Sequence, residues 1–347
     1  MQNYLFFGII RTMSKELKTV LTGDRPTGRL HLGHFVGSIQ NRIKLQNESD
    51  KSFYMIADIQ GLTDNANNPQ KVRNNVIEVV LDNLACGLDP EKTIMFIQSE
   101  IPEIAELTVI FLNLVTLARL KRNPTVKDEM KQKGFGEDVP AGFLCYPISQ
   151  AADILFARAN LIPVGEDQLP VIEQVNEIVD TFNRYYGETF TKVKHLVGDT
   201  PRLMGTDGGI KMGKSLGNGI YLSDSLEEIS KKVMSMYTDP KHIHVEDSGQ
   251  VEGNVVFTYL DIFDSNKKEV SELKEQYKKG GLGDVIIKKR LINILENIIN
   301  PIRTKRAELA KNPEQIMKIL EEGTNKARIV AKETMTEVKK ALKINYF

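Results

Sequence analysis

A length of 347 residues predicts about two domains, and 41% hydrophobic with 27% charged residues is typical of soluble globular enzymes. Basic and acidic residues number 46 each, which excludes an overall basic chain, so any nucleic-acid footprint must be local. The two cysteines, Cys86 and Cys145, are too few and too far apart for a disulfide framework or a metal site, which favours a reducing cytoplasm. No apolar run reaches the length of a membrane span.

Residues 1–16 are predicted to be an extension that precedes the first domain. The stretch from Tyr4 to Ile10 is apolar. It lacks the basic residues and the small-residue cleavage site of a secretory signal peptide.

A glycine-rich loop with two histidines follows the first predicted strand. Residues 18–22 are β-branched and apolar enough for a strand, and Phe35, Val36 and Ile39 recur at helical spacing. Between them lie His31, Gly33 and His34. A loop that leaves a strand and opens a helix presents N–H groups to anions, and the small Gly33 lets a flat ring approach the backbone. This arrangement predicts a phosphoryl-transfer site.

Further along the chain, strands alternate with helices. Strands are predicted over residues 53–57, 93–97 and 161–164, and helices over residues 69–86, from 102 to about 120, and from about 169 to 182. Such alternation predicts βαβ units and a parallel sheet. The polar residues 123–138 are interpreted as an inserted helix and loop. Beyond Ser215 the pattern becomes helical up to residue 342, so a domain boundary is predicted there.

The stretch from Gly208 to Ser215 matches the P-loop pattern G-x-x-x-x-G-K-[ST]. A P-loop should leave a strand and open a helix. Here a polar loop precedes the pattern, and the glycine-rich residues 216–219 that follow are poor helix formers. A P-loop NTPase therefore remains only an alternative.

Tyr146, Gln150 and Asp153 are spaced to lie on one face of a helix. The small Ala151 and Ala152 beside them leave room for a bulky ligand. A carboxylate in an aromatic pocket can accept a hydrogen bond from an indole N–H or a phenol O–H, so this face is predicted to select an aromatic substrate.

Two motifs carry a family resemblance. The loop Gly28-x-x-His31-Leu-Gly33-His34 resembles the first signature of class I aminoacyl-tRNA synthetases, and Lys211-Met-Gly213-Lys214-Ser215 resembles their Lys-Met-Ser-Lys-Ser signature. Residues 165–168 (Gly-Glu-Asp-Gln), 216–224 and 237–240 are similar to the tryptophanyl-tRNA synthetases. The likeness extends from about residue 18 to the C-terminus. Gly213 departs from the usual serine, which should loosen that loop.

The resemblance implies an α/β fold, with a Rossmann-like parallel-sheet nucleotide-binding domain and a C-terminal all-helical domain. The catalytic domain would span residues 17–215, including a helical connecting and dimer segment at about 102–145, and an anticodon-binding domain would span residues 216–347. The implied reaction joins L-tryptophan to AMP from ATP, releases pyrophosphate and transfers the acyl group to tRNA(Trp). A cytoplasmic homodimer is implied, with Mg²⁺ that arrives with ATP and no metal site in the protein itself.

The resemblance also assigns roles to individual residues. The catalytic residues would be His31, His34, Lys211 and Lys214. ATP would be bound by Arg25, Thr27, Gly33, His34, Gly165, Asp167, Gln168, Lys211, Lys214 and Ser215. The amino acid would be bound by Tyr146, Gln150, Asp153 and Gln168.

A basic cluster in the C-terminal region supplies a candidate tRNA surface. It contains six basic residues and one acidic residue between positions 288 and 306. Phosphate contacts are predicted for Lys288, Lys289, Arg290 and Arg303. A solvated helix face is the alternative interpretation of such a cluster.

Three other interpretations stay open. The pattern Tyr146-x-x-x-Gln150-x-x-Asp153 is also what tyrosyl-tRNA synthetases use, so tyrosine is the alternative substrate. A catalytically inactive, synthetase-like RNA-binding protein is the second alternative, and the P-loop NTPase is the third. His242 and His244, with nearby Glu246 and Asp247, are interpreted as a polar loop, not as a metal site.

Overall fold

In a computed structural model of the chain, the described residues are 17–63, 65–135, 138–197, 203–209 and 212–347, apart from the side chain of Ser215. The predicted extension, residues 1–16, lies outside them. A five-stranded parallel sheet forms the centre, with strands β1 (Thr19–Asp24), β2 (Lys51–Ile56), β3 (Thr93–Ile97), β4 (Leu161–Val164) and β5 (Lys194–Val197). Their order is β3-β2-β1-β4-β5.

This strand order places a topological switch point between β1 and β4, because the chain builds the sheet outward from β1 in both directions. Ligands of open α/β sheets bind at the carboxyl ends of the strands beside such a point. The glycine-rich loop that follows β1 begins there. The predicted Rossmann-like parallel sheet is therefore confirmed.

Helices flank the sheet on both faces. In the first part of the chain they are α1 (Leu32–His34), α2 (Gln40–Glu48), α3 (Asp58–Leu62), α4 (Pro69–Cys86), α5 (Pro102–Leu112), α6 (Leu117–Arg122), α7 (Pro124–Gln132), α8 (Ala141–Phe156) and α9 (Leu169–Tyr186). A π-helical turn, Phe35–Ile39, joins α1 to α2. The start of α4 follows its sequence signals, since the Asn68 side chain accepts a hydrogen bond from the N–H of Lys71 and Pro69 occupies the first turn.

The C-terminal region is helical, as predicted. It comprises α10 (Leu226–Met234), α11 (Val255–Phe263), α12 (Lys267–Lys279), α13 (Asp284–Leu309) and α14 (Pro313–Ala341). These helices share the hydrophobic core of the sheet: Leu291 and Leu320 belong to the same buried cluster as Ile56 and Val79. None of the described helices combines the length and the apolar character that a bilayer span requires.

Two elements differ from the sequence predictions. The helix predicted from residue 102 to about 120 is two helices, because the Asn113 amide donates to the Val109 and Ile110 carbonyls at the end of α5 and Thr116 caps the start of α6. Strand β5 had no sequence prediction. It has only four residues at the sheet edge, and its apolar Leu196 is exposed, so it lacks the buried pattern that marks a strand.

Candidate active site

The loop after β1 brings the two histidines into contact. His31 is buried at the start of α1, and its backbone N–H donates to His34 Nδ1 at 3.3 Å. The two ring centroids are 3.9 Å apart. At Gly33 a Cβ atom would lie only 2.9 Å from His31 Cε1, so a side chain at this position would displace the imidazole.

Both imidazoles are neutral at physiological pH. Burial, with His34 and Lys214 nearby, lowers the pKa of His31 to about 2. Burial and Lys214 likewise lower the pKa of His34 to about 4. A neutral imidazole can both donate and accept a hydrogen bond. The histidines are thus suited to hydrogen bonding with phosphate oxygens, while a cation would have to come from elsewhere.

That cation is Lys214 of the second signature. Its Nζ donates to the carbonyl of Gly28 at 2.6 Å, across 186 positions of sequence. Burial lowers the pKa of Lys214 to about 8, with partial compensation by the Asp24 and Asp82 carboxylates. Lys211 and the Ser215 side chain, both predicted to bind pyrophosphate, lie outside the described part of the structure.

The P-loop interpretation of this segment is wrong. Lys214–Leu216 is a single 3₁₀ turn, and it ends at Gly217 with φ +66°. A P-loop needs an α-helix that begins at this point. None begins there, so the backbone cannot cradle a phosphate in the P-loop manner.

Backbone pairing ties the first signature to residues 220–222, which follow the second signature. Leu32 N–H donates to the Ile220 carbonyl at 2.9 Å, and Leu222 N–H donates to the Leu30 carbonyl at 3.0 Å. His31 and Tyr221 face each other in this short antiparallel bridge. The structure therefore brings His31, His34 and Lys214 to one place, as the predicted phosphate site requires.

The predicted substrate-selecting face lies on α8. Tyr146 and Asp153 are buried and Gln150 is half-buried on this helix. Tyr146 packs against Phe143 with ring centroids 5.7 Å apart, and Phe143 packs against Phe135 at 5.0 Å. These rings form a small hydrophobic cluster with Val126 of α7.

Asp153 is held by an amide and keeps one oxygen available. Gln98 Nε2 donates to Asp153 Oδ1 at 2.7 Å, while Oδ2 is buried and has no partner among the described residues. Burial raises the pKa of Asp153 to about 7, although the side-chain amides of Gln98 and Gln60 oppose the rise. A buried acceptor without a partner is costly to leave unsatisfied, which favours a ligand that donates to it.

Gly165, Asp167 and Gln168 follow β4 as predicted. Gln168 Nε2 donates to Asp167 Oδ2 at 3.1 Å. The Thr125 hydroxyl of α7 donates to the Asp167 carbonyl at 2.7 Å and so ties the inserted segment to this turn. Gly165 and Asp167 are exposed, so both are accessible to a nucleotide.

Arg25 and Thr27 lie in the loop after β1. The Thr27 N–H donates to the Arg25 carbonyl at 2.8 Å. Arg25 is close enough to influence the ionisation of both Tyr146 and Lys214. The loop after β1 therefore lies near both Tyr146 of α8 and Lys214.

Sequence reasoning missed the residues that support these side chains. Gln98 and Gln60 hold Asp153, and Gln98 directly follows β3, the kind of polar residue at a strand's carboxyl end that could have signalled it. Asp24, at the end of β1, accepts from Arg42 at 2.8 Å and from the Tyr54 hydroxyl at 2.9 Å. Although burial raises the pKa of a carboxyl, Arg42 keeps the pKa of Asp24 below its usual value.

Most of the predicted tRNA contacts are occupied inside the protein. Lys288 is buried, and its ammonium donates to the carbonyls of Met234 and Met236. Arg290 pairs with Asp264 and Glu269, and Arg303 pairs with Glu296 and the Asp224 carbonyl. These contacts argue against phosphate binding by the three side chains, because each would have to break internal bonds. Lys289 is exposed, and its role stays a prediction.

No group of three or more metal-ligating side chains occurs among the described residues. In the His242–Asp247 loop, the Asp247 carboxylate accepts hydrogen bonds from the backbone N–H groups of Ile243 and His244. The His242 ring packs on Tyr277 at 4.5 Å. The Asp247 carboxylate and the His242 ring are thus engaged in contacts within the protein.

Comparison with known proteins identifies the family. The family described as tRNA synthetases class I (W and Y) matches residues 13–300. A tryptophan–tRNA ligase from Clostridium longisporum is 57% identical over 339 residues, which cover 96% of this chain and 99% of that protein. The chain belongs to the tryptophanyl-tRNA synthetases of class I. Another tryptophan–tRNA ligase, from Lactococcus lactis, is 54% identical over 95% of the chain and 98% of its own length.

Solved structures of the family have the same fold as this chain. A tryptophanyl-tRNA synthetase from Campylobacter jejuni, complexed with ADP and tryptophan, has a TM-score of 0.82 at 31% identity and covers 94% of this chain and 99% of its own. The enzyme from Mycoplasma pneumoniae has a TM-score of 0.79 at 26% identity, covering 94% and 98%. The predicted family and fold are confirmed, and the family is one of ligases, not of P-loop NTPases.

Proposed function

We propose that the enzyme joins L-tryptophan to the α-phosphate of ATP, releases pyrophosphate, and transfers the acyl group to tRNA(Trp). The observation that carries this proposal is the convergence of His31, His34 and Lys214 at the loop after β1, with Arg25 of the same loop close to both Lys214 and Tyr146 of α8. The phosphate-binding and substrate-binding groups come from four separate stretches of sequence. In this proposal they meet at the carboxyl ends of the strands, where ATP and tryptophan would place their reacting atoms.

In this proposal the chain stabilises charge on the phosphates. His31 and His34 hydrogen-bond to the phosphate oxygens of the transition state, and Lys214 moves from the Gly28 carbonyl to the leaving pyrophosphate. Phosphoryl-type transfer gains most from such positioned donors and cations. Lys211, Ser215, Arg25, Thr27 and the turn at Gly165–Gln168 complete the ATP site.

The substrate side chain is selected by Asp153. Its Oδ2 accepts the indole N–H, while Tyr146, Gln150 and Gln168 surround the amino-acid backbone and ring. A buried polar group that is paired only by the correct substrate can reject analogues that lack the donor by about 10⁴- to 10⁵-fold. A phenol hydroxyl is also a donor, so tyrosine is the competitor against which selection must be measured.

Mg²⁺ is proposed to enter with ATP, whose phosphates supply most of its ligands. The protein is proposed to be a cytoplasmic homodimer whose subunits meet through the connecting segment. Lys289 is proposed to contact tRNA phosphate, which would make tRNA binding weaker at high salt.

The decisive experiment is the exchange of radioactive pyrophosphate into ATP, run separately with each of the twenty amino acids. Exchange that depends on tryptophan supports the proposal. Exchange driven by tyrosine and not by tryptophan would place the enzyme with the tyrosyl branch. If no amino acid supports exchange, the chain is a synthetase-like binding protein.

A further inference from the structure

Two arginines about one turn apart on α13 are engaged in hydrogen bonds with other parts of the chain. Arg303 and Arg306 follow Pro301, which removes one hydrogen bond from the helix interior. Their side chains are 25% and 14% exposed. Arg306 contacts Asp82 of α4, which binds the backbone before His31, and Arg303 contacts the segment after the second signature.

Arg306 supports the histidine loop through Asp82. Arg306 Nε donates to Asp82 Oδ1 at 2.7 Å, and a second nitrogen of the same guanidinium pairs with Glu78. The other carboxylate oxygen of Asp82 accepts the backbone N–H of Leu30 at 2.7 Å. Leu30 directly precedes His31. The chain of contacts therefore runs from α13 through α4 to the residue that sets the path of the loop.

Asp82 is fully buried, so its carboxylate depends on these partners. Removing the guanidinium would leave a buried charge with a single backbone donor, an arrangement that is strongly unfavourable. The carboxyl would then protonate or rotate toward other donors. Either response changes the acceptor that the Leu30 N–H finds.

Arg303 supports the segment after the second signature. Its Nη1 donates to the carbonyl of Asp224 at 2.7 Å, and its pairing with Glu296 on α13 orients the guanidinium. The Asp224 carboxylate in turn accepts the Tyr221 N–H at 2.8 Å. Tyr221 faces His31 in the backbone bridge between the two signature segments.

We propose that Arg303 and Arg306 are positioning residues for adenylate formation, and that they fix the two signature loops relative to each other from the C-terminal helical region. This inference rests on the proposed function, because it assigns these arginines to its first step. It also replaces the interpretation of Arg303 as a tRNA contact. Movement of α13 would be transmitted to both loops, because Arg303 and Arg306 on the same turn of this helix contact the groups that support them.

The test compares Arg306→Ala, Arg306→Lys and Arg303→Ala with the unaltered enzyme. Active sites are counted by the stoichiometric formation of adenylate, and tryptophan-dependent pyrophosphate exchange is then expressed per competent site. A misplaced loop costs on the order of 10²-fold in the rate of a positioned reaction, so we expect such a loss of kcat for Arg306→Ala. The KM for tryptophan should stay within about twofold of that of the unaltered enzyme, because Asp153 and its partners are unchanged.

The conservative variant tests the mechanism. Arg306→Lys keeps a cation near Asp82 but loses the planar fork that reaches Glu78 as well, so it should recover part of the lost rate. In a double variant that combines Arg306→Ala with Asp82→Asn, the loss of rate per competent site should not exceed that of the more severe single variant. Both substitutions act through the same contact. A purely structural role would instead lower the melting temperature and the number of competent sites while leaving the rate per site unchanged.

Lys339→Ala is the matched control. Lys339 on α14 pairs with Glu106 on α5 at 2.9 Å, so it also links the C-terminal helices to the sheet domain, but away from the signature loops. Its rate per site should equal that of the unaltered enzyme. An unchanged rate per site in Arg306→Ala, or an equal loss in the control, would overturn the inference. If Arg306→Ala does not fold, the exchange rate per competent site of Arg306→Lys and Arg303→Ala tests the inference instead. Absence of exchange in the unaltered enzyme would instead contradict the proposed function.

Discussion

The ionisation of Asp153 should control tryptophan binding. Above its pKa of about 7 the carboxylate presents Oδ2 as an acceptor, whereas below it a proton turns that oxygen into a donor facing the indole N–H. Tryptophan affinity is therefore expected to fall as the pH drops through about 7. The chain contains no tryptophan, so the fluorescence of the ligand itself reports binding at each pH.

Asp153→Asn provides the matched comparison. The amide is close to the carboxylate in shape but does not ionise in this range, so the pH dependence should disappear. Loss of a charged acceptor should weaken tryptophan binding by about 1.5–3 kcal/mol, while the KM for ATP stays near its original value. A variant that kept the original affinity for tryptophan and its selection over tyrosine would show that the indole is recognised elsewhere.

Gly213 can be returned to the family's usual serine. Its φ of −150° suits any residue, and an added Cβ would meet only the exposed Leu216 side chain, at 3.2 Å. Replacing glycine at a position whose backbone suits other residues stabilises the ordered conformation by about 0.4–1 kcal/mol. The new residue has fewer alternative backbone conformations to lose when it becomes ordered. Gly213→Ser should lower the KM for ATP by about two- to fivefold. Gly213→Ala separates this backbone effect from the added hydroxyl, and a higher KM in both variants would contradict the reasoning.

At single residues the sequence predicted the candidate site residues better than the groups that hold them. His31, His34, Lys214 and Asp153 stand in patterns whose spacing is set by chemistry, so they could be identified. Gln98 supports Asp153 from 55 positions away, and no local pattern encodes that distance. For the same reason, sequence shows that Arg290 and Arg303 are charged but not that carboxylates face them.

At the scale of elements, α14 closes one edge of the sheet. The Ile97 N–H of β3 donates to Thr324 Oγ1 at 3.2 Å. Gly323 packs so closely on this strand that a Cβ would lie 1.9 Å from the Met95 carbonyl oxygen. The helix thus covers an edge that would otherwise be free to pair with another chain.

Gly323→Ala should therefore destabilise the protein. The methyl group cannot fit without moving the helix away from β3, and such overpacking costs about 1–3 kcal/mol, measurable by urea unfolding. Gly142→Ala is the control, since a Cβ there meets no atom within 4 Å and alanine is the better helix former. Equal stability of the two variants would show that α14 does not pack as tightly as described.

The sequence was informative about elements whose core-facing pattern is regular. The strands β1 to β4 and the start of α4 follow hydrophobic runs and capping residues. It was less informative at the break between α5 and α6 and at β5. The break between α5 and α6 depends on a side chain that turns back to its own helix, and β5 depends on a neighbouring strand for its definition.

At the scale of the whole molecule, the connecting segment is the surface expected to join two subunits. Val109 and Leu117, on α5 and α6, are 62% and 66% exposed, and Leu112 between them is 40% exposed. Apolar side chains clustered in this way are typical of protein interfaces. Leu117→Glu should shift the enzyme from dimer to monomer by placing a charge on the apolar contact, and sedimentation or light scattering can measure the change. Leu196→Glu, at an exposed apolar position on β5, should leave the mass unchanged. If the unaltered enzyme is a dimer that Leu117→Glu does not weaken, the subunits meet through another face.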